Sequence, residues 1–315
     1  MPTQARRRPA KPVPNRYQEI TNQVIAALEQ GTVPWRSPVV TGQRPLAYNY
    51  VSQKQYRGIN FFLLNFLRPH VQGAFLTFKQ AKNLGGKVRK GAKAQRVYFF
   101  KRYYRDANGK GISETAAQEL KDRGVSVDCT PFLKSFPVFN VEDVEGIDFN
   151  LPEQAEVKTF AHDPVETAEQ FIAGIQNGPA IVTSTTSGNR YRTRQDTILM
   201  FPRDRYRTAA DYYETLFHEL THATGHADRL AREGITEPCR LGSAKYAREE
   251  LTAEMGSAFL CALNGIQPQI ENSAAYIAHW LERLKNDQHL VYKAAAQAQA
   301  AVDFLRRPPT APQET

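Results

Sequence analysis

Tyr212-Tyr213-Glu214-Thr215-Leu216-Phe217-His218-Glu219-Leu220-Thr221-His222 is the stretch on which the reading of this chain turns. Thr208, with Asp211 three residues on, forms a capping-box signal ahead of it, and Gly225 can stop the helix behind it. Positions four apart share a helix face, so His218 and His222 point the same way and can reach one ion. Glu219 stands one residue round, beside the place a water would occupy. This is the H-E-x-x-H arrangement. Neutral imidazoles suit zinc, and a catalytic zinc site takes three protein ligands and leaves a position for water. Metal-assisted hydrolysis needs that water acidified and a carbonyl polarised, with Glu219 as the general base. The expected cofactor is one divalent ion, zinc before others, on His218 and His222.

The third ligand must come from elsewhere. His226 sits at or past the helix end. In the extended H-E-x-x-H-x-x-G-x-x-H pattern Gly225 keeps its place, but Asp228 occupies the third-histidine position. The better candidates are Glu250 and Glu254 in Glu249-Glu250-Leu251-Thr252-Ala253-Glu254. They are four apart and share a face, so one can bind the ion while the other orients a histidine. The residues leave the choice between them open, and Glu249 reads as part of a solvated acidic face. Ala253, Gly256 and Ala258 would let this helix pack closely on the histidine helix. Asp196 to Pro202, just upstream, reads as an edge strand beside the metal, able to take an extended peptide as an added strand.

Working outward, the net charge of +9 hides an asymmetry. Residues 1–110 hold 21 Lys and Arg against three acids, a net of +18, and residues 111–315 hold 20 against 29, a net of −9. Such a split suggests that one half meets a polyanion. Residues 77–105 interleave ten cations with Phe78, Tyr98, Phe99, Phe100, Tyr103 and Tyr104. Cations track phosphates and aromatic faces stack on unpaired bases, so the pattern suits single strands. No zinc-finger or helix-turn-helix spacing accompanies it. The candidate nucleic-acid contacts are Trp35, Arg57, Lys79, Lys82, Lys87, Arg89, Lys90, Lys93, Arg96, Tyr98 and Lys101.

The organisation is α+β in two domains. Residues 1–16 read as a disordered basic arm, 17–145 as the nucleic-acid domain, 146–163 as an acidic linker, 164–307 as the metal domain and 308–315 as a loose tail. Helices are expected at Tyr17–Gln30, Asn60–Leu67, Thr77–Leu84 and Pro164–Gln176, and at about 209–224, 243–264 and 272–305. Strands are expected at Arg96–Tyr104, Phe136–Val141, Ala180–Thr185 and Thr197–Phe201. No apolar run reaches the 18 or so residues of a membrane span, and the basic, proline-rich start does not read as a secretory signal. Three widely spaced cysteines, Cys129, Cys239 and Cys261, argue against a disulfide framework and fit a reducing cytoplasm.

Several of these pieces resemble one family. Gly31-Thr32-Val33-Pro34-Trp35, Tyr56-Arg57-Gly58-Ile59-Asn60 and Thr77-Phe78-Lys79-Gln80-Ala81-Lys82 running into Gly85-Gly86-Lys87-Val88-Arg89-Lys90-Gly91 look like the N-terminal domain of the ArdC antirestriction family. Asp211-Tyr212-Tyr213, His218 to His226, Arg229-Leu230 and Glu249 to Glu254 resemble that family's zincin-like metallopeptidase domain. The resemblance implies a bacterial cytoplasmic protein carried by plasmids and other mobile elements. It implies binding of single-stranded DNA through the first domain and protection of incoming DNA from host restriction during conjugation. A host protein is the implied peptidase substrate, its identity open. A net charge of +18 over residues 1–110 excludes protection by acidic DNA mimicry for that part of the chain.

Two other readings compete. A non-enzymatic protein could coat single strands and keep the metal domain as a structural or silent unit. A nuclease is weaker, since nucleases favour carboxylate-rich two-metal sites. The intact Glu219 favours the enzyme.

Overall fold

Asn15 caps the first helix, α1 (Arg16–Glu29), by accepting from the Gln18 N–H, and the apolar face Ile20, Val24 and Leu28 is buried. The computed structural model describes residues 15–36, 46–67, 70, 72–151, 166–186, 188–240, 242–267 and 274–307. Most of the basic arm, most of the acidic linker and the whole 308–315 tail fall outside them.

The first domain is built on a five-stranded sheet. In chain order its elements are β1 (Tyr48–Asn49), α2 (Ile59–Phe62), β2 (Ala74–Leu76), α3 (Phe78–Asn83), β3 (Lys87–Val88), β4 (Gln95–Arg105), β5 (Gly111–Ile112), α4 (Glu114–Asp122), β6 (Asp128–Asn140) and β7 (Val144–Glu145). The sheet order is β1-β2-β6-β4-β5, with β3 and β7 paired separately. α2 runs on as a π-helical turn over Leu63–Leu67. A complete Thr77/Gln80 capping box starts α3.

The long β4–β6 hairpin dominates this domain, pairing antiparallel from Gln95↔Val138 to Arg105↔Asp128. The eleven-residue β4 therefore spans about 36 Å. Sequence periodicity finds β4 but only the end of β6. The Asp128–Ser135 part carries Pro131 and polar residues, and its strand state comes from pairing with β4. Periodicity also misses α4, which Ser113 caps.

The second domain follows as α5 (Glu166–Ala173), β8 (Ala180–Thr183), β9 (Arg190–Arg192), β10 (Thr197–Met200), α6 (Ala209–Ala223), α7 (Glu233–Thr236), α8 (Ala244–Leu263), α9 (Ala274–Asn286) and α10 (Leu290–Leu305). Its sheet order is β8-β10-β9. The Asp196–Pro202 stretch, expected at an edge, therefore holds the central strand, and the edges are β8 and β9. The final helix, expected as one, breaks after Asn286. There the Asp287 side chain accepts from the His289 N–H at 2.8 Å and turns the chain into α10.

The two domains share one hydrophobic core. Ile20, Val24, Leu28, Trp35, Phe62 and Tyr98 of the first half pack in the same cluster as Phe217, Met255, Trp280 and Val291 of the second. Thr21 reinforces the junction by donating to the Gln288 carbonyl at 2.8 Å. This explains Trp35 and Tyr98, both expected to meet bases. Trp35 is 4% exposed and Tyr98 2%. The Trp35 indole N–H donates to the Tyr276 hydroxyl at 3.0 Å, and Asn60 brackets the backbone of Tyr98 on both sides. Neither ring can present a face to a base. No helix among the described residues is long and apolar enough to cross a membrane.

Candidate metal centre

The centre lies where α6 crosses α8. Thr208 caps α6 by accepting from the Asp211 N–H at 3.2 Å, and Leu216, Phe217 and Leu220 bury its inner face. Close approach of α8 depends on Gly256, where a Cβ would come within 2.5 Å of the Thr221 side chain.

At this crossing His218, His222 and Glu250 converge, the one potential metal cluster among the described residues. The two Nε2 atoms lie 3.1 Å apart. Glu250 carboxylate oxygens stand 3.8 Å from His218 Nε2 and 3.7 Å from His222 Nε2. Ligands about 2.0–2.2 Å from a tetrahedral ion stand roughly 3.4 Å from one another, so the donor set fits a divalent cation. Burial, with the neighbouring His222, lowers the His218 pKa and favours the neutral imidazole that a ligand must be.

Glu250 and Glu254 thus part company. Glu254 is taken by Arg36, whose guanidinium reaches it at 2.9 and 3.3 Å and lies 3.9 Å from the centre of the Tyr276 ring. Of the two glutamates left open as candidates, Glu254 stands outside the three-donor cluster and anchors an arginine from the first domain. The orienting role falls to Glu249, read from sequence as solvated but buried here. Its Oε1 lies 3.1 Å from His222 Nδ1. Arg232 grips both Glu249 oxygens at 2.9 and 2.7 Å and also donates to the Thr221 carbonyl at 2.6 Å. Burial alone would raise the Glu249 carboxyl, but Arg232 and His222 hold it down at about 2. Burial also opposes charge on His222, and Glu249 outweighs it, so the His222 pKa is raised. A neutral His222 that donates its Nδ1 proton to Glu249 would direct its Nε2 lone pair at the cluster.

Glu219 is 9% exposed. Its Oε2 accepts from the Tyr191 backbone N–H of edge strand β9 at 2.7 Å. Tyr191 is itself pinned, its hydroxyl donating to Asp196 at 2.8 Å while Arg229 holds the same carboxylate at 2.5 and 2.8 Å. Sequence alone singles out neither Tyr191 nor Arg232 as a site residue. His226 stays out of the cluster, its Nδ1 meeting the Asp228 N–H at 3.3 Å.

Among the basic candidates, Lys79, Lys82, Lys87, Lys90, Lys93 and Lys101 are exposed. Arg57, Arg89 and Arg96 are exposed but engaged, Arg57 with Asp303, Arg89 with the Glu142 carbonyl and Arg96 with Glu19 at 3.2 Å.

Comparison with known proteins matches both halves. A family model described as a zincin-like metallopeptidase covers residues 166–297. Another, the N-terminal domain of anti-restriction factor ArdC, covers residues 14–139. The metal-free crystal structure of the antirestriction protein ArdC from plasmid R388 is 35% identical, with a TM-score of 0.71, over 93% of this chain and 97% of that one.

The chain belongs to the ArdC antirestriction family.

The Mn(II)-bound structure of the R388 ArdC is similar at TM-score 0.68 and 34% identity, over 92% of this chain and 96% of that one. In this family member too, the donors at the α6–α8 crossing suit a divalent metal. Uncharacterized protein y4eC of Sinorhizobium fredii is 33% identical over 298 residues, covering 92% of this chain and 91% of that protein. The DNA primase TraC of Escherichia coli is 31% identical over 296 residues. The chain spans only 27% and 20% of the length of the two TraC proteins it matches.

Proposed function

We propose that this ArdC-family protein is a single-stranded-DNA-binding antirestriction factor whose second domain is a working metallopeptidase. It would act in the bacterial cytoplasm on a host protein, with zinc on His218, His222 and Glu250. One observation carries the enzymatic part. Glu219 is held by a strand edge beside a three-donor cluster whose second histidine is oriented by Glu249.

A bound divalent ion would supply Lewis acidity toward a carbonyl and toward water. This chain's own groups do the rest. Glu219 accepts the proton of the attacking water and passes it to the leaving amine. Its hydrogen bond to Tyr191 fixes one oxygen. β9 is the edge strand next to Glu219, so an extended peptide would add there as a strand, its carbonyl taking the Tyr191 N–H from Glu219, in place of the Asp196–Pro202 edge anticipated from sequence. The exposed lysines of residues 79–101, within the +18 segment 1–110, support the DNA-binding part.

Purified protein, loaded with zinc or manganese, is incubated with denatured host proteome and the new termini are read by mass spectrometry. Wild type is expected to generate termini that Glu219→Ala does not. Identical termini from both proteins, or none from either, would leave the domain a silent metal unit, with protection resting on DNA coating.

A further inference from the structure

The two strands of the β4–β6 hairpin present a mixed face. Side chains alternate across a sheet, so Phe99, Lys101 and Tyr103 of β4 stand on the same side as Phe132, Lys134 and Phe136 of β6. The register sets Phe99 opposite Lys134 and Lys101 opposite Phe132. Each lysine thus faces an aromatic across the ladder and lies between two along its own strand. Phe99 is 45% exposed and Tyr103 62%. Rings pair diagonally: Phe99 and Phe136 edge to face at 5.7 Å, Tyr103 and Phe132 stacked at 4.8 Å. Lys134 Nζ lies 5.0 Å from the Phe136 ring centre. On this face of the two strands the sole acid is Asp128, at the distal end opposite Arg105.

Apolar rings at this exposure, on a face over which the described residues place no second sheet, are costly unless something covers them. At the foot of the face a cavity of about 800 Å³ opens, lined by Val97, Phe99, Phe136 and Val138 from the hairpin, Gln80 from α3 and Tyr292 from α10. Its size falls in the range of small-molecule sites. The lysines exclude a neutral apolar partner as the fitting occupant, and the interleaving suits a polyanion that carries flat, unpaired rings.

We propose that this face is the seat of single-stranded DNA, with one base turned into the cavity at its foot. This inference rests on the DNA-binding reading above and specifies where it is exercised. Bases stack on Phe99, Tyr103 and Phe132, and phosphates follow Lys101 and Lys134. Paired bases cannot offer their faces, so a duplex of equal length binds less tightly.

The test uses the full-length protein and a fluorescently labelled oligothymidylate, with anisotropy read across a salt series. Base–aromatic stacking contributes to affinity at every stacked base, so Phe99→Ala with Tyr103→Ala is expected to weaken binding tenfold or more at an unchanged salt slope. Lys101→Ala with Lys134→Ala is expected to flatten the slope of log K against log salt by about 1.4, at roughly 0.7 for each phosphate no longer neutralised. Lys245→Ala, on the other domain, leaves both unchanged. A 2-aminopurine placed along the strand should brighten at one position as it unstacks into the cavity. If wild type binds and both double variants, folded as judged by thermal melting, bind like it, the assignment of this face is overturned. If no 2-aminopurine position brightens, the cavity is not part of the site. If wild type itself fails to bind, the underlying DNA-binding reading falls first and this inference with it.

Discussion

His222 Nδ1 lies 3.1 Å from Glu249 Oε1, and Arg232 clamps the same carboxylate from the other side. His222 is therefore the inner end of a buried chain of charge that starts on the α6–α7 loop and passes through α8.

Breaking that chain should cost metal affinity and stability together. Glu249→Gln keeps the shape but leaves Arg232 without its countercharge. Outer-shell carboxylates of this kind are worth roughly 10–100-fold in metal affinity, and a buried ion pair left half-made costs about 3–5 kcal/mol. Zinc titration by calorimetry and urea unfolding check the two losses. An unchanged affinity would mean that Glu249 serves Arg232 alone.

Glu214, one turn before His218, carries a pH signature. Burial first, then the nearby Glu254, push its carboxyl up to about 7, with Arg36 opposing. Its ordinary value is 4.5. Between pH 4.5 and 7 the unfolded chain releases this proton while the folded chain keeps it, so its contribution to stability falls as pH rises through that window. In chelator-treated protein, Glu214→Gln should match wild type near pH 4.5. By pH 8 it should exceed wild type by on the order of 3 kcal/mol. Glu249 has the opposite sign, because its pKa is held at about 2. The stability it lends is complete above pH 4.5 and drains away as pH falls toward 2. An equal gain from Glu214→Gln at pH 5 and pH 8 would contradict the assignment.

Gly256 sets the distance between the two helices that carry the candidate metal donors. Adding a Cβ within 2.5 Å of the Thr221 side chain forces α6 and α8 apart. Gly256→Ala is expected to destabilise by about 1–3 kcal/mol, the usual cost of overpacking, and to weaken zinc binding because Glu250 moves with α8. A variant with wild-type affinity would show that the crossing has slack.

Trp35 separates core from DNA contact. At 4% exposure, Trp35→Ala should cost about 3–5 kcal/mol of stability. Below its melting temperature, the variant should still bind single strands with the wild-type salt slope. A loss of DNA affinity without a loss of stability would return Trp35 to the binding surface.

The helix that holds His218 and His222 was legible because its evidence is local: a cap, an apolar stripe, and two imidazoles four residues apart. The candidate pair Glu250 and Glu254 was legible for the same reason. Which of the two binds was not, because Arg36, the residue that removes Glu254, lies 218 positions away. Glu249 looked solvated since nothing in its neighbourhood announces Arg232. Trp35 and Tyr98 share the composition of a stacking surface, yet composition cannot say which face of a strand turns inward. Phe99, two positions into an alternation that begins with buried Val97, stays outside because the hairpin outgrows its sheet. The shared core of the two domains was invisible, as contacts such as Trp35–Trp280 and Phe61–Phe259 join residues about two hundred positions apart or more.

The central claim is the identity of the metal-binding triad, and metal stoichiometry of two isosteric variants tests it most directly. Glu250→Gln and Glu254→Gln would be loaded with zinc, dialysed and measured by mass spectrometry beside wild type. One equivalent should remain in wild type and in Glu254→Gln, and Glu250→Gln should lose it. Zinc kept by Glu250→Gln and lost by Glu254→Gln would contradict the triad of His218, His222 and Glu250.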